Sequence, residues 1–267
     1  MIVFPPAKIN LGLRITGKRP DGYHEIDTVM LQIPLFDILE IVPTTSFLFT
    51  SGGNSVDCPP EMNLCVKAYY LLKSDFDLPP VHIHLHKIIP MGAGLGGGSS
   101  DAAYTLLALN ELFQLQLNRK TLENYAAQLG SDCPFFISSS PKYCTGRGEI
   151  MKDIEIPSLS EKWLKLYDPK IHISTSNAYS GIRPQAINKT TEEQVLEPLS
   201  DWSDSLINDF ETTVFQENKA ISQLKNQLYK DGALYAAMSG SGSAVYGVFE
   251  HIPKKNQLSI QEWVFQL

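Results

Sequence analysis

From residue 8 to residue 16 the chain alternates, with Ile9, Leu11, Leu13 and Ile15 on one side and Lys8, Asn10, Gly12 and Arg14 on the other. A period of two is that of a half-buried strand. Lys18-Arg19-Pro20-Asp21-Gly22 reads as a turn, with proline and Asp-Gly supplying its backbone angles. A second strand from residue 23 to about 31 completes a hairpin, and residues 38–42 and 47–49 are further strand candidates. The apolar positions then move to helical spacing. Leu64, Ala68 and Leu71/Leu72 predict a helix over 61–73. A strand over 81–89 feeds a glycine-rich stretch, after which Ala103, Leu106/Leu107 and Asn110 place a helix over 100–113. A shorter helix over 122–129 meets its stop at Gly130. Residues 141–156 read as a hairpin around Thr145-Gly146-Arg147-Gly148-Glu149.

The pattern is less sharp in the second half. Residues 170–174 suggest a strand, residues 177–181 begin a short helix, and residues 206–229 hold two helical stretches. Strands over 233–238 and 244–249 flank a second glycine-serine run, Ser239-Gly240-Ser241-Gly242-Ser243. Strands and helices mix without regular strand–helix–strand alternation, so the expected class is α+β with two lobes. The expected division is residues 1–155 as an N-terminal lobe and 156–267 as a C-terminal lobe.

Composition changes this picture little. It is 43% apolar and 19% charged, without an apolar run long enough to span a membrane. The first residues lack the marks of a signal or transit peptide, and Cys58, Cys65, Cys133 and Cys144 form no C-x-x-C pair, so free thiols in a reducing cytoplasm are expected. Charge matters more. A formal net charge of −7 argues against a nucleic-acid partner. If the ligands are phosphates, positive field must be supplied locally.

The stretch Pro90-Met91-Gly92-Ala93-Gly94-Leu95-Gly96-Gly97-Gly98-Ser99-Ser100-Asp101 is the place to supply it. Five glycines sit between a strand and a helix. Glycine brings backbone N–H groups close to a ligand with no side chain in the way, and a helix N-terminus presents them with partial positive charge. Gly92-x-Gly94-x-x-Gly97 fits the dinucleotide fingerprint formally, but no acid follows about twenty residues on, where Leu115-Gln116-Leu117-Asn118 stands. No Gly-Lys-Ser/Thr follows either, so this is not a Walker loop. Phosphate binding by backbone amides, with any lysine coming from elsewhere, is the reading that survives.

Taken in order, Pro6-Ala7-Lys8-Ile9-Asn10-Leu11-Gly12-Leu13, Gly22-Tyr23-His24-Glu25-Ile26, the glycine stretch, Leu129-Gly130-Ser131-Asp132-Cys133-Pro134-Phe135-Phe136 and Ser239-Gly240-Ser241-Gly242-Ser243-Ala244 resemble the GHMP small-molecule kinases. The resemblance spans most of the chain and is poorest over 155–200. It implies a bilobal α+β kinase, cytoplasmic and bacterial, monomer or homodimer, with its active site in the cleft between lobes. It also implies transfer of the γ-phosphoryl of ATP, with Mg2+ held mainly by the nucleotide, to the tertiary 2-hydroxyl of a cytidine-diphosphate-linked methylerythritol in non-mevalonate isoprenoid synthesis. A homoserine- or mevalonate-type kinase is the alternative acceptor reading. A nucleotide-binding regulator and a nicotinamide dehydrogenase are more distant rivals.

The resemblance also implies roles. Residues 90–100 would grip ATP. Lys8 and Asn10 would lie at the reaction centre, with Asn10 on the substrate and Lys8 holding Asp132 ionised. Asp132 would be the catalytic base, though on sequence alone it reads as a turn or cap residue. Tyr23 would stack on cytosine and His24 would bond its edge, with Tyr179 on the other side of the base. Read from the residues alone, Ser99 or Ser100 could reach Mg2+ or phosphate, or simply cap the helix. Asp101 would repel phosphate and is expected to face away. Asn63 and Lys87 are candidates for the adenine side, and Arg147 is a phosphate cation or a turn residue. His82, His84 and His86 share one strand face, but no carboxylate or cysteine at suitable spacing completes a zinc set, so a solvated face is expected.

Overall fold

The computed structural model describes residues 1–56, 58–254 and 260–267. Its strands are β1 (Ile2–Val3), β2 (Pro6–Lys18), β3 (His24–Phe36), β4 (Ile38–Pro43), β5 (Leu48–Gly53), β6 (Val81–Lys87), β7 (Lys142–Gly146), β8 (Ile150–Asp153), β9 (Trp163–Asp168), β10 (Tyr235–Met238), β11 (Val245–Phe249) and β12 (Gln261–Gln266). Its helices are α1 (Leu64–Asp75), α2 (Gly97–Leu112), α3 (Arg119–Leu129), α4 (Thr175–Ser180), α5 (Thr191–Val195), α6 (Trp202–Ser205), α7 (Phe210–Glu217) and α8 (Lys219–Lys230). Among the described residues the strands form three four-stranded sheets, ordered β1-β4-β6-β5, β2-β3-β7-β8 and β10-β11-β9-β12. The chain makes two compact units that alternate along the sequence, a different division from the single boundary expected near residue 155. One holds Met1–Ala7, Pro34–Met91 and Gly96–Ser139, and the other Lys8–Ile33, Gly92–Leu95 and Ser140–Leu267.

In the first unit, β6 lies antiparallel to β4 and parallel to β5, with Ile41 opposite Ile83 and Thr50 opposite His84. Leu39, Ile41, Val81, Ile83 and Leu85 turn to the buried side, where α1, α2 and α3 pack on one another and α2 meets β4. The alternation predicted for β6 is therefore present. On its other side Thr50 Oγ1 bonds both His82 Nε2 and His84 Nδ1 at 2.8 Å. Asn63 follows a 3-10 turn over Pro60–Met62 and caps α1, its Oδ1 accepting from the Cys65 N–H at 2.9 Å.

In the second unit, the sheet β10-β11-β9-β12 packs with α7 and α8 around Leu13, Ile15, Tyr167, Phe210, Val214, Ile221, Leu228, Met238, Val245 and Phe249. Burial of each large apolar side chain here contributes roughly 1.5–3 kcal/mol. β2 is buried on both faces: Lys8 and Asn10 are as enclosed as Ile9 and Leu11. The half-exposed face read from its alternation is thus a polar face turned inward.

Two differences from the sequence reading have clear causes. Residues 170–174 carry no strand, because Lys170 has a φ of 55°, outside the extended region. The strand is β9, whose apolar run is interrupted by Lys165. That lysine is fully buried, donates to the Lys254 carbonyl at 2.7 Å, and has Asp231 and Glu262 each at 3.6 Å. The helix after the glycines starts at Gly97 rather than at 100, with Gly96 at a φ of 70° as its N-cap. Ser99 and Ser100 therefore lie inside its first turn and are not caps.

Candidate active site

The second unit gathers Lys8, Asn10, the centre of the first glycine stretch and the late glycine-serine run. The Lys8 N–H donates to the Leu95 carbonyl at 2.9 Å, and its ammonium donates to Asn10 Oδ1. Asn10 Nδ2 donates to Thr28 Oγ1 at 3.0 Å, and that hydroxyl donates to the Gly12 carbonyl at 2.6 Å. The Tyr246 hydroxyl donates to the Asn10 carbonyl at 2.7 Å. This chain of bonds fixes both side chains on a buried strand.

The two glycine runs lie against each other. The Ser239 hydroxyl donates to the Gly94 carbonyl at 2.9 Å, and the Ala244 N–H donates to the Ala93 carbonyl at 3.1 Å. A Cβ at Gly94 would come within 1.9 Å of the Ser239 carbonyl oxygen, and Gly94 has a φ of 78°. A Cβ at Gly242 would stand 2.0 Å from the Gly94 nitrogen. Only glycine allows this approach. A Cβ at Gly240 would sit 3.3 Å from both Lys8 Nζ and Asn10 Oδ1, so the late run reaches the lysine. Asn208 braces that run, its Nδ2 donating to the carbonyls of Met238 and Gly240 at 2.7 and 2.9 Å.

The aromatic candidates lie in the same unit. Tyr23 precedes β3, is 57% exposed, and carries the Arg147 guanidinium 4.9 Å above its ring. The register that pairs Ile26 with Gly146 brings the two together. Tyr179 stacks on His24, with centroids 4.8 Å apart and planes at 25°, and meets Phe210 edge-on. That separation is direct contact between the two rings.

The remaining candidates belong to the first unit. Pro90 and Met91 precede the part of the glycine stretch held in the second unit, and Gly96, Gly97, Gly98, Ser99 and Ser100 follow it. Gly98 has open space where a side chain would be. Ser99 is hydrogen-bonded to Cys133, whose thiol burial pushes up to about 12. The first turn of α2 is therefore held beside the residue that follows Asp132. Asp132 itself is half-buried where a short 3-10 helix begins, 3.4 Å from the Ser131 hydroxyl. Lys8 and Asp132 belong to different units, so each is placed by its own surroundings.

Below the first turn of α2, Lys87 donates to both Asp37 and Asp101, the latter at 2.8 Å. Asp37 Oδ1 also accepts from the backbone N–H groups of Ile88 and Ile89. All three side chains are buried, which is stable only because each charge is paired. Burial would lower the Lys87 ammonium, but Asp101 and Asp37 more than offset it and its pKa is raised. Burial pushes the Asp101 carboxyl up to about 8, Lys87 opposing and Asp37 reinforcing the rise. Beside this cluster Val56, Met62, Leu64, Leu85 and Met91 line a cavity of about 130 Å³ with Cys58, Asn63, Lys87, Gly98 and Asp101. Apolar walls with a few convergent polar groups are the usual make-up of a nucleobase or cofactor pocket.

The chain matches the GHMP kinases N terminal domain over residues 63–140 and the GHMP kinases C terminal region over residues 187–259. A 4-diphosphocytidyl-2-C-methyl-D-erythritol kinase of Cytophaga hutchinsonii is 48% identical over 270 residues, with all of both chains covered. The chain belongs to the GHMP kinase family. Among solved structures, a 4-(cytidine 5'-diphospho)-2C-methyl-D-erythritol kinase superposes with a TM-score of 0.79 at 33% identity, over 94% of this chain and 90% of that one. The Methanococcus jannaschii mevalonate kinase has a TM-score of 0.68 at 14% identity, covering 99% and 97%, and shares the fold. The α+β GHMP kinase architecture expected from the sequence is thus the one observed.

Sequence reasoning about this GHMP kinase missed several parts. Of the cavity lining, Asn63, Lys87 and Met91 are nucleotide candidates in the sequence, whereas Val56, Met62 and Leu85 are not, because they come from separate segments that each read as ordinary core or loop. The Arg147–Tyr23 contact was within reach, since a hairpin register places residue 147 beside the turn before β3. The packing of the two glycine runs had no local signal beyond the glycines themselves.

Proposed function

We propose that the chain transfers the γ-phosphoryl group of ATP to the 2-hydroxyl of 4-diphosphocytidyl-2-C-methyl-D-erythritol, a step in the non-mevalonate route to isoprenoid precursors. Full-length similarity to kinases of that name supports the acceptor, whereas the mevalonate kinase likeness bears on fold alone. The observation that carries the reading is the exposed Tyr23 ring with Arg147 above it, next in sequence to His24 of β3, which stacks on Tyr179 of α4. An aromatic face beside a guanidinium suits a nucleobase joined to a diphosphate.

In this reading the acceptor's 2-hydroxyl oxygen forms a bond to the γ-phosphorus as the bond to the bridging oxygen of ADP breaks in line. The hydroxyl proton passes to Asp132 as general base, and Lys8 stabilises the charge spreading over the transferred group. Asn10 orients Lys8. The N–H groups of residues 92–100 and the α2 dipole grip the polyphosphate, and the 130 Å³ cavity takes adenine. The residues fit a magnesium ion carried by the nucleotide: Ser100 Oγ is a buried hydroxyl without a protein partner, and such ions rest mainly on substrate phosphates. Mg2+ would neutralise phosphate charge there. The test is a phosphoryl-transfer assay with the cytidine-linked acceptor beside homoserine and mevalonate. Transfer to the cytidine compound alone supports the proposal, and transfer to either of the others replaces it. Changing Tyr23 and His24 together to Ala should abolish acceptor binding while ATP binding persists.

A further inference from the structure

One exposed side chain of the second unit lies against the glycine stretch and is unused by the transfer scheme above. Asp168, at the end of β9, accepts from the Lys170 N–H at 2.8 Å, and Lys170 takes a φ of 55°, so the chain turns as it leaves the sheet. Ile173 is then buried in the apolar core of this unit, and Ile171 packs against the same core. His172, between two side chains committed inward, is exposed. Its ring sits beside Gly92. A Cβ at Gly92 would stand 2.8 Å from His172 Nδ1 and 3.2 Å from His172 Cε1. Apart from the chain neighbours of Gly92, no other described residue comes within 4 Å of that point. Gly92 is itself exposed and has a φ of 68°. Glycine at 92 thus leaves room for the imidazole, and anything that settles on this side of Gly92 meets the ring.

Neither the Gly92 N–H nor the His172 ring has a hydrogen-bond partner among the described residues. The next three carbonyls, by contrast, are all taken: Ala93 accepts from the Ala244 N–H, Gly94 from the Ser239 hydroxyl and Leu95 from the Lys8 N–H. The loop is tied down through its oxygens, and the Gly92 N–H is left over. Standard bond lengths put a Cβ about 2.5 Å from its own backbone nitrogen, so His172 Nδ1 is no more than about 5.3 Å from the Gly92 nitrogen. Two hydrogen bonds of about 2.9 Å each span that gap, so one phosphate oxygen can accept from both groups. An imidazole offers a ring N–H whether it is neutral or charged. We propose that His172 is a phosphate-binding residue, holding one phosphate of a nucleotide substrate together with the Gly92 amide. The inference rests on the kinase reading above and adds a side chain to a grip made there of backbone amides. Two sources share this chemistry: the polyphosphate of ATP, which that reading assigns to the glycine stretch, and the diphosphate of the cytidine-linked acceptor.

The experiment compares H172A and H172N with the parent chain. H172A removes the donor, whereas H172N keeps an N–H close to the place of Nδ1. H172A is expected to raise the KM of one nucleotide substrate about tenfold, with kcat and the other KM within about twofold. A rise for ATP assigns the contact to the phosphoryl donor, and a rise for the cytidine-linked acceptor assigns it to that diphosphate. H172N is expected to bring the affected KM back to within about threefold of the parent. Because His172 is exposed, both variants should keep the parent's melting temperature. Calorimetric titration with ATP against adenosine, and with CDP against cytidine, separates phosphate from base: the loss in H172A should be confined to the phosphorylated member of one pair. Unchanged KM values in H172A overturn the proposal, as does an equal loss for nucleotide and nucleoside. H172N as impaired as H172A removes the hydrogen bond, and a parallel loss of kcat, both KM values and melting temperature marks a structural role only; either result also overturns it. If the parent transfers to no acceptor, the kinase reading fails, and the titrations of ATP and CDP against H172A still decide this point.

Discussion

Asp132 shows how little a residue's local setting tells of its chemistry. It stands at the start of a short 3-10 helix with Cys133 and Ser99 holding the adjacent backbone, a position that many turn aspartates share. A positioned carboxylate general base contributes on the order of 100- to 10,000-fold. Asp132→Asn should lower kcat by that range and leave the ATP KM within a few-fold, which steady-state kinetics at saturating acceptor will read. Retained turnover would remove Asp132 as base. Asp101 is tied to stability instead. Folding raises its pKa, so the native chain holds a proton that the unfolded chain has already released. Stability must then fall as pH rises from the ordinary carboxylate range towards about 8, and the Lys87 shift acts only at more alkaline pH. Asp101→Asn should flatten that fall, on the order of 1–3 kcal/mol, in denaturant melts taken across the window.

The glycine elements divide into structural and open positions. A side chain at Gly94 would collide with the Ser239 carbonyl and would also meet a left-handed φ, whereas Gly98 faces open space. Gly94→Ala should therefore cost roughly 2 kcal/mol or more and separate the two glycine runs, while Gly98→Ala should leave the melting temperature unchanged and act on ATP affinity alone. Equal effects of the two in thermal unfolding would contradict this. The same scale explains what could be read beforehand. The β2–β3 hairpin, β6, α1, α3 and the β7–β8 hairpin were legible because their apolar residues keep one period and end at glycine, proline or asparagine. β9 was not, since Lys165 breaks the apolar run and its partners Asp231 and Glu262 lie far away in sequence. β12 was missed because Trp263, Val264 and Phe265 are only half-buried and show no alternation. Of the site, Lys8, Asn10 and the glycines could be picked from sequence. Asn63, Lys87 and Met91 of the pocket could be picked too, but the rest of its wall and the pairing of Lys87 with Asp37 and Asp101 could not, being built from residues that only folding brings together.

For the molecule as a whole, the formal charge of −7 opposes the approach of a nucleotide triphosphate and a cytidine diphosphate conjugate, both polyanions. Attraction must come from short-range groups: the N–H groups of the glycine runs, the buried Lys8 and the Arg147 guanidinium over Tyr23. Salt screens the long-range repulsion, with a Debye length near 8 Å at about 0.15 M, and acts much less on contacts inside a pocket. The outcome is opposite to that for an enzyme that steers anions with a basic surface, where added salt lowers the association rate steeply. Between roughly 0.02 M and 0.2 M ionic strength at fixed free Mg2+, kcat/KM for the acceptor should hold steady or rise by up to about twofold. Arg147→Ala should lower kcat/KM most at low salt, because it removes an exposed cation seated over the Tyr23 ring, and the deficit should narrow as salt is added. A tenfold fall in the parent's kcat/KM over the same range would mean that a long-range positive field guides the substrates after all, and that the local amides and Arg147 are not the main source of attraction.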